Sequence, residues 1–337
     1  MLNRKVILTY ALDDIYIYPF LVSSFSAYKI FQGNLQIELI QPVDSSLGIG
    51  MSEEGIKFCE KVFSNLGISI EVTTVDVSKS IQEIESLPVW SRFPRTTWLR
   101  FFAFYYEFEE RNQNIFYLDP DTLFFKVDTN WFDVLDSTEV IAARSTWGHE
   151  TFENDYGLRK SENMGGYFNG GVMVVNPINY SREYPERDWW ECIKFAAQRE
   201  FSIIDQDALN LLIRGKQEWL SIDFNTYPDE FDPARTLLIH FAGGVKPWLY
   251  PSSWERARKT SNAKLAFKLW DETATDLENS IEDEELSSRL EQYAKYVKPT
   301  FSRRAAQLFP GLSQKAWKIR ELILKSIFAI TRERKIE

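Results

Sequence analysis

Ile115-Phe116-Tyr117-Leu118-Asp119-Pro120-Asp121 is a short apolar run that stops abruptly in two carboxylates one residue apart. Four apolar residues bounded by turn formers read as a fully buried strand, since a buried helix needs a longer run. In open α/β sheets ligands bind outside the carboxyl ends of the strands, so acids at this point face a site. Two carboxylates held together repel unless positive charge lies between them. A hard divalent cation supplies it, carboxylate oxygens suiting Mg²⁺ or Mn²⁺. Asp-Pro-Asp is also ordinary turn chemistry, and these residues alone leave both readings open.

Upstream the pattern alternates. Val6 to Tyr10, Leu35 to Ile40 and Ile68 to Val75 read as strands. Between them Pro19 suits a helix first turn, followed by Leu21, Val22, Phe25, Tyr28 and Phe31 at helical spacing. Ser52 caps a second helix, with Ile56, Cys59, Phe63 and Leu66 on one face and Gly67 as its stop. Thr96 to Glu110 reads as a long aromatic helix feeding the Ile115 strand. Strand–helix–strand repetition implies an α/β fold, a largely parallel sheet with helices on both faces. Downstream, Val140 to Ala143, Tyr167 to Val175, Leu220 to Phe224 and Leu237 to Phe241 read as strands, and 186–200 and 205–214 as helices.

The 337 residues are 44% hydrophobic and 26% charged, which is a globular composition. The net charge of −10 argues against bulk nucleic-acid binding, which needs a basic footprint. Two cysteines, Cys59 and Cys192, make neither a disulfide framework nor a thiolate metal site. No stretch approaches the ~20 apolar residues of a membrane span, and no secretion signal is recognisable, so the chain reads as cytoplasmic. Near residue 255 the character changes. Residues 271–285 hold eight Asp/Glu, and 298–337 hold ten Lys/Arg against three Glu. The expected division is therefore a catalytic domain over 1–255 and a helical C-terminal extension over 256–337. Within the extension, Leu312, Ala316, Ile319, Ile323, Ile327 and Ile330 share one helical face with Lys315, Lys318 and Lys325 off that stripe. Such a face suits either peripheral membrane contact or packing on the domain.

Three further stretches carry chemistry. Ile239-His240-Phe241-Ala242-Gly243-Gly244-Val245-Lys246-Pro247-Trp248 ends an apolar run in a histidine, then offers a glycine pair and a lysine. Glycines let backbone N–H groups approach a phosphate, and Lys246 adds a point charge. The imidazole is either a third metal ligand, favouring Mn²⁺ over Mg²⁺, or a satisfied core histidine. Gly165-Gly166-Tyr167-Phe168-Asn169-Gly170-Gly171-Val172 places glycines inside a strand pattern, where a ligand approaches the backbone. Asp205-Gln206-Asp207-Ala208-Leu209-Asn210 puts acids at a helix start, where capping is the plain explanation.

Taken in this order, these stretches resemble glycosyltransferase family 8 over roughly residues 5–255. Ala11-Leu12-Asp13-Asp14-Ile15-Tyr16 is similar to its nucleotide-binding loop, and Thr96-Thr97-Trp98-Leu99-Arg100 to its arginine-bearing helix. The closing His240…Lys246-Pro247-Trp248 run is the most specific part of the likeness. The resemblance implies a GT-A fold, Rossmann-like and nucleotide-sugar-binding. It also implies a UDP-sugar donor, glucose or galactose first, a glycan or glycolipid acceptor, and a product that retains the donor's anomeric configuration. It implies Asp119, Asp121 and His240 as Mn²⁺ ligands, with Mg²⁺ the alternative, and Gly243 and Lys246 on the diphosphate. Ala11, Asp13 and Tyr16 belong to the nucleotide site, Tyr16 by stacking on uracil. Arg100, Asn169, Gly170, Asp205 and Gln206 surround the donor sugar. Gln206 stands at the position beneath the ring, with Asp205 or Asp207 the alternative nucleophile and Asp121 the third residue counted as catalytic. Three positions depart from the pattern: Ile15 replaces a polar residue, Gly170 an Ala or Ser, and Arg144 an acid near the sugars. The competing functions are a catalytically degenerate sugar-nucleotide-binding protein and a nucleotidyltransferase. The latter lacks its basic glycine-rich loop here, because Thr9 to Asp14 has no Lys or Arg. Trp248 is expected to wall the pocket, Trp90 and Trp147 to face the acceptor, and His149 to lie on the surface.

Overall fold

The computed structural model describes residues 5–44, 49–77, 95–105, 113–126, 130–146, 166–198, 203–243, 246–249 and 260–296. Seven strands form the main sheet in the order β3-β2-β1-β4-β7-β6-β8. β1 (Val6–Tyr10) lies parallel to β2 (Leu35–Pro42) on one side and to β4 (Ile115–Leu118) on the other. β3 (Ser69–Val75) extends the parallel half beside β2. β7 (Phe168–Val175) then pairs antiparallel with β4, Leu118 opposite Val172. β6 (Ile141–Ser145) pairs antiparallel with β7 through a bulge between Ala143 and Ser145. The short β8 (Glu218–Trp219) closes the edge. β1, β4 and β7 are buried at every position, and β4, β1 apart from Thr9, and β7 from Val172 onward are written in apolar residues without alternation.

A second, two-stranded sheet positions the chemistry. β5 (Thr122–Phe124) pairs antiparallel with β9 (Leu238–His240), placing Thr122 opposite His240. The Asp-Pro-Asp turn that joins β4 to β5 is closed by Thr122 Oγ1 donating to Asp119 O at 3.0 Å.

Helices cover both faces. On one lie α1 (Ile17–Phe31) and α2 (Glu53–Leu66), whose apolar residues join a single buried cluster with β1 and β2. Ser52 Oγ accepts from Gly55 N at 3.0 Å and Gly67 ends α2 at φ 70°. On the other face lie α3 (Leu99–Tyr105), α5 (Pro177–Glu183), α6 (Glu186–Gln198) and α7 (Ile204–Ile213). α4 (Asn130–Ser137) sends Trp131, fully buried, between the sheets. Its ring lies 5.0 Å from Phe116, 5.2 Å from Phe124 and 4.9 Å from Phe224. Burying an aromatic this completely is worth about 3–5 kcal/mol against truncation to alanine. The tryptophans described are thus chiefly core residues.

α8 (Ser261–Asn279) and α9 (Glu284–Tyr296) lie in the expected extension, and their apolar faces enter the same cluster as α1. Phe267 and Trp270 pack edge-on against Phe241 at 5.4 and 5.2 Å. No helix among the described residues is long and apolar enough to cross a membrane.

Two expectations need correction. The strand expected over Leu220–Phe224 is a tight turn at Ile222–Phe224, preceded by the two-residue β8. Ser221 Oγ accepts from Asp223 N, and a side chain competing for the backbone favours a turn over a ladder. The helix expected from Thr96 begins as a 3₁₀ turn over Arg95–Trp98 and becomes α-helical at Leu99, its described part ending at Tyr105. Two short helices, α4 and α5, carried too few periodic residues to be read. The basic stripe over 312–330, Trp90, Trp147, His149 and Gly244 lie outside the described residues.

Candidate active site

The site lies at the carboxyl end of β4, where the parallel half of the sheet meets the antiparallel half. Asp119 leaves β4 with its N–H donated to Gly171 O at 2.7 Å, which ties the turn to β7. Asp121 O accepts Phe241 N at 2.9 Å, which ties the same turn to β9. These two bonds bring residues 119, 171 and 240 together across 121 positions of sequence. One carboxylate oxygen each of Asp119 and Asp121 and one ring nitrogen of His240 lie within 4.8 Å of one another.

His240 is 2% exposed, and Asn225 Oδ1 lies 2.9 Å from its Nδ1. Nε2 faces Asp121 Oδ1 at 3.4 Å. Asp121 Oδ2 is paired with Lys246 Nζ, which also donates to Phe241 O at 2.7 Å. Burial pushes the Asp121 carboxyl up, but Lys246 and His240 outweigh it and hold it well below the usual carboxylate range. Asp119 goes the other way: burial raises its carboxyl more than Arg100 lowers it. The two acids therefore differ in environment although they are one residue apart.

Arg100 is the organising cation. Its Nη2 reaches Asp119 Oδ1 at 3.2 Å and Asp205 Oδ2 at 3.0 Å, Nη1 donates to Gly170 O at 3.1 Å, and Nε donates to Thr97 O at 3.2 Å. Burial alone would lower its affinity for the proton, yet Asp205, Tyr117 and Asp119 keep it raised. The acids at the start of α7 thus do more than cap. Asp205 pairs with Arg100, and only Asp207 serves the helix end, accepting Ile203 N at 3.1 Å.

Gln206 bonds back to the strand. Its Oε1 accepts from Gly170 N at 2.9 Å and Asn169 Nδ2 at 3.2 Å, and its Nε2 donates to Tyr167 OH at 2.9 Å. Tyr167 OH in turn donates to Asp207 Oδ1 at 2.6 Å. Gly171 is required by space. A Cβ there would stand 2.4 Å from His240 Cε1 and 2.7 Å from Asp119 Oδ2, inside the space between the two ligand candidates. At Gly170 the closest atom to a Cβ is Arg100 Nη1 at 3.0 Å.

Between β1 and α1, Ala11 is buried, and Asp13 caps the 3₁₀ turn Asp14–Tyr16 by accepting Ile15 N at 3.1 Å. Burial raises the Asp13 carboxyl. Ile15 is 42% exposed. Tyr16 meets Trp248 edge-on at 6.3 Å, and Trp248 rests on Trp270 of α8 at 5.1 Å. Gly243 holds φ 90°, a left-handed backbone that a side chain disfavours. Of the residues expected in the site, Arg100, Asp119, Asp121, Asn169, Gly170, Asp205, Gln206, His240 and Lys246 are joined by these contacts, and Tyr16 meets Trp248. Sequence reading missed Gly171, Asn225 and Tyr167 as site residues. The glycine run was its only signal for Gly171, and Asn225 had none. Arg144, standing where an acid was expected, pairs with Glu230 at 2.7 Å and lies 4.0 Å over the Tyr227 ring.

Two carboxylates after β4 and an imidazole at the end of β9 thus meet beside a mixed α/β sheet whose architecture is that of the GT-A fold. A sequence profile described as glycosyl transferase family 8 matches residues 7–252, and the chain belongs to that family. Solved structures agree on the fold. One is galactosyltransferase LgtC with donor and acceptor sugar analogues, at TM-score 0.61 and 19% identity, covering 83% of this chain and 98% of that one. The bifunctional glycosyltransferase WbbM matches at TM-score 0.58 and 16% identity, over 86% of this chain and 52% of that one. Glycosyltransferase GlyE of Streptococcus pneumoniae TIGR4 matches at TM-score 0.53 and 18% identity, over 88% and 66%. No curated protein sequence matches the chain.

Proposed function

We propose that this glycosyltransferase is a retaining, Mn²⁺-dependent hexosyltransferase that moves glucose or galactose from a UDP-sugar to a glycan or glycolipid acceptor. The observation that carries the reading is the convergence of Asp119, Asp121 and His240, whose ligand atoms lie within 4.8 Å of one another, with Nδ1 of the imidazole against the Asn225 oxygen and Nε2 toward Asp121 Oδ1 at 3.4 Å. Two carboxylates and an imidazole suit Mn²⁺, and Gly171 leaves the space between them clear.

Asp119, Asp121 and His240 would hold the ion, which when bound neutralises the diphosphate as it leaves. Lys246 offers a second positive charge beside Asp121, and Gly243, in a left-handed backbone, is assigned to the diphosphate. Asp13 and Tyr16 take the nucleotide, Tyr16 steadied by Trp248. Arg100, Asn169, Asp205 and Gln206 take the donor sugar. In the reaction the bond from C1 of the sugar to the diphosphate oxygen breaks and its electron pair stays on that oxygen. The acceptor hydroxyl oxygen bonds C1 on the same face and passes its proton to the departing diphosphate. A covalent intermediate is disfavoured by the bonding of its candidates. Gln206 Oε1 already accepts two hydrogen bonds, Asp205 is paired with Arg100, and Asp207 accepts from Tyr167 OH and from Ile203 N.

The domain division near residue 255 and peripheral membrane contact through the basic C-terminal segment belong to the same reading. The deciding experiment is UDP release from UDP-glucose and UDP-galactose with and without Mn²⁺. Asp121→Asn is expected to cost roughly 10²-fold or more in turnover, because charge stabilisation is usually the largest catalytic contribution. Wild-type chain that binds the donor without releasing UDP is a degenerate binding protein instead.

A further inference from the structure

Asn225 is fully buried, lies outside every motif discussed so far, and touches the site at two points. Its Nδ2 donates to Asn169 Oδ1 at 3.0 Å, and its Oδ1 faces His240 Nδ1 at 2.9 Å. The orientation of this amide follows from the backbone. Gly171 N–H donates to Asn169 Oδ1 at 3.1 Å, and Gly170 N–H donates to Gln206 Oε1 at 2.9 Å. A backbone N–H can only donate, so both oxygens are fixed as acceptors. Asn169 therefore presents its oxygen to Asn225, which must answer with Nδ2, and that leaves Oδ1 for the imidazole. An amide oxygen accepts only, so the proton sits on Nδ1.

The Asn225 backbone is held just as firmly. Its N–H donates to Ile222 O at 3.1 Å, and its carbonyl accepts from Arg144 Nη1. Arg144 itself is clamped by Glu230 and the face of Tyr227. The positions 225–230 thus form a braced loop, and its one buried amide points at the metal-ligand candidate.

We propose that Asn225 is a positioning residue that fixes His240 as the Nδ1–H tautomer, aims its bare Nε2 at the cation site, and joins that ligand through Asn169 to Gln206 on the donor-sugar side. The inference rests on the metal-dependent transferase reading above. A buried ligand histidine needs such a partner because, without one, either ring nitrogen can carry the proton and only one of the two forms can ligate. Partners of this kind are worth roughly 10–100-fold in metal affinity.

The test uses the full chain with isotope-labelled histidine nitrogens, loaded with diamagnetic Cd²⁺. The chain has only two histidines, so His149→Gln assigns the signals. His240 is expected to show a protonated Nδ1 and a metal-coupled Nε2; coupling at Nδ1 overturns the proposal and needs no variant. Mn²⁺ titration of the metal-free chain then compares two substitutions of similar size. Asn225→Leu removes the acceptor and is expected to weaken binding 10–100-fold. Asn225→Asp keeps an acceptor at Nδ1 but sets a carboxylate oxygen against Asn169 Oδ1, so it is expected to lose less Mn²⁺ affinity than Asn225→Leu. Equal loss in both means Asn225 only packs, and overturns the proposal, as does unchanged affinity in Asn225→Leu. Failure of the parent reading looks different: the tautomer and affinities come out as stated, yet wild type releases no UDP.

Discussion

Gly171→Ala is the sharpest perturbation available at this site, since it adds one methyl where three atoms already stand. The new Cβ would lie 2.4 Å from His240 Cε1, 2.7 Å from Asp119 Oδ2 and 2.9 Å from His240 Nε2. Cβ contacts under about 3 Å are not tolerated, and neither neighbour swings away freely. The imidazole is held by Asn225 and by β9, and Asp119 by Arg100 and by its own bond to Gly171 O. Gly171 does not have positive φ, so the cost is steric rather than conformational. Overpacking of one methyl in a fixed surround costs about 1–3 kcal/mol. If the chain relieves it by moving His240 or Asp119, that energy must be repaid on metal binding, which corresponds to roughly a 5- to 150-fold loss of affinity. If the site holds, the loss appears in the melting temperature at roughly 1–2 °C per kcal/mol. Gly170→Ala is the control one residue away. Its Cβ meets only the end of Arg100 at 3.0 Å and then Gln206 Cγ and Leu209 Cδ1 at 3.6 Å, so its cost should stay below about 1.5 kcal/mol. The assay is Mn²⁺ titration of the metal-free chain alongside calorimetric melting, for both variants. Gly171→Ala with wild-type affinity and wild-type melting, or the two variants behaving alike, refutes the geometry.

Gln206→Ala should slow transfer while leaving UDP affinity nearly intact, because its bonds lie on the β7 side and not beside Lys246; NMR of the first product should show an α linkage from an α-linked donor, and a β linkage would contradict the retaining reading. Cys192 is half-buried and its thiol is pushed up to about 11, chiefly by burial. Thiolate is the reactive form, so labelling by a disulfide reagent should be slow at pH 7.5 and rise about tenfold per pH unit toward pH 10; fast labelling at neutral pH contradicts this environment. A chain ending near Pro299 should lose co-sedimentation with anionic vesicles that the full chain shows, each basic residue adding ~1 kcal/mol at the surface; vesicle binding by neither, together with unfolding of the shorter chain, assigns the basic segment to packing.

Much of the fold was legible because buried strands of a parallel sheet are written as unbroken apolar runs. Val6–Tyr10 and Ile115–Leu118 matched to the residue, and Ser52 and Gly67 bounded α2 as their chemistry requires. Leu220–Phe224 misled for the same physical reason. It has strand-like composition, but a serine that bonds the nearby backbone turns the chain before a ladder forms. α4 and α5 are too short to show a period, and tertiary packing of Trp131 and Tyr180 makes them helical.

Residue types at the site followed the same division. Acids at a strand end, a histidine before glycines and a lysine before Pro247 are each ambiguous alone, and it is their order along the chain that marks them in sequence. What the sequence by itself determined was therefore the kind of chemistry and the order of the elements that carry it. Only the tertiary structure decided which groups meet. The β5–β9 pairing sets His240 against a turn 119 residues earlier, and Arg100 divides its charge between Asp119 and Asp205. The chain from Gln206 through Asn169 and Asn225 fixes the imidazole. The physical reason is that apolar periodicity is a local property of the chain. Hydrogen bonds between buried amides are made by residues distant in sequence, and nothing about Asn225 marks it until the folded backbone of Gly170 and Gly171 tells each amide which way to face.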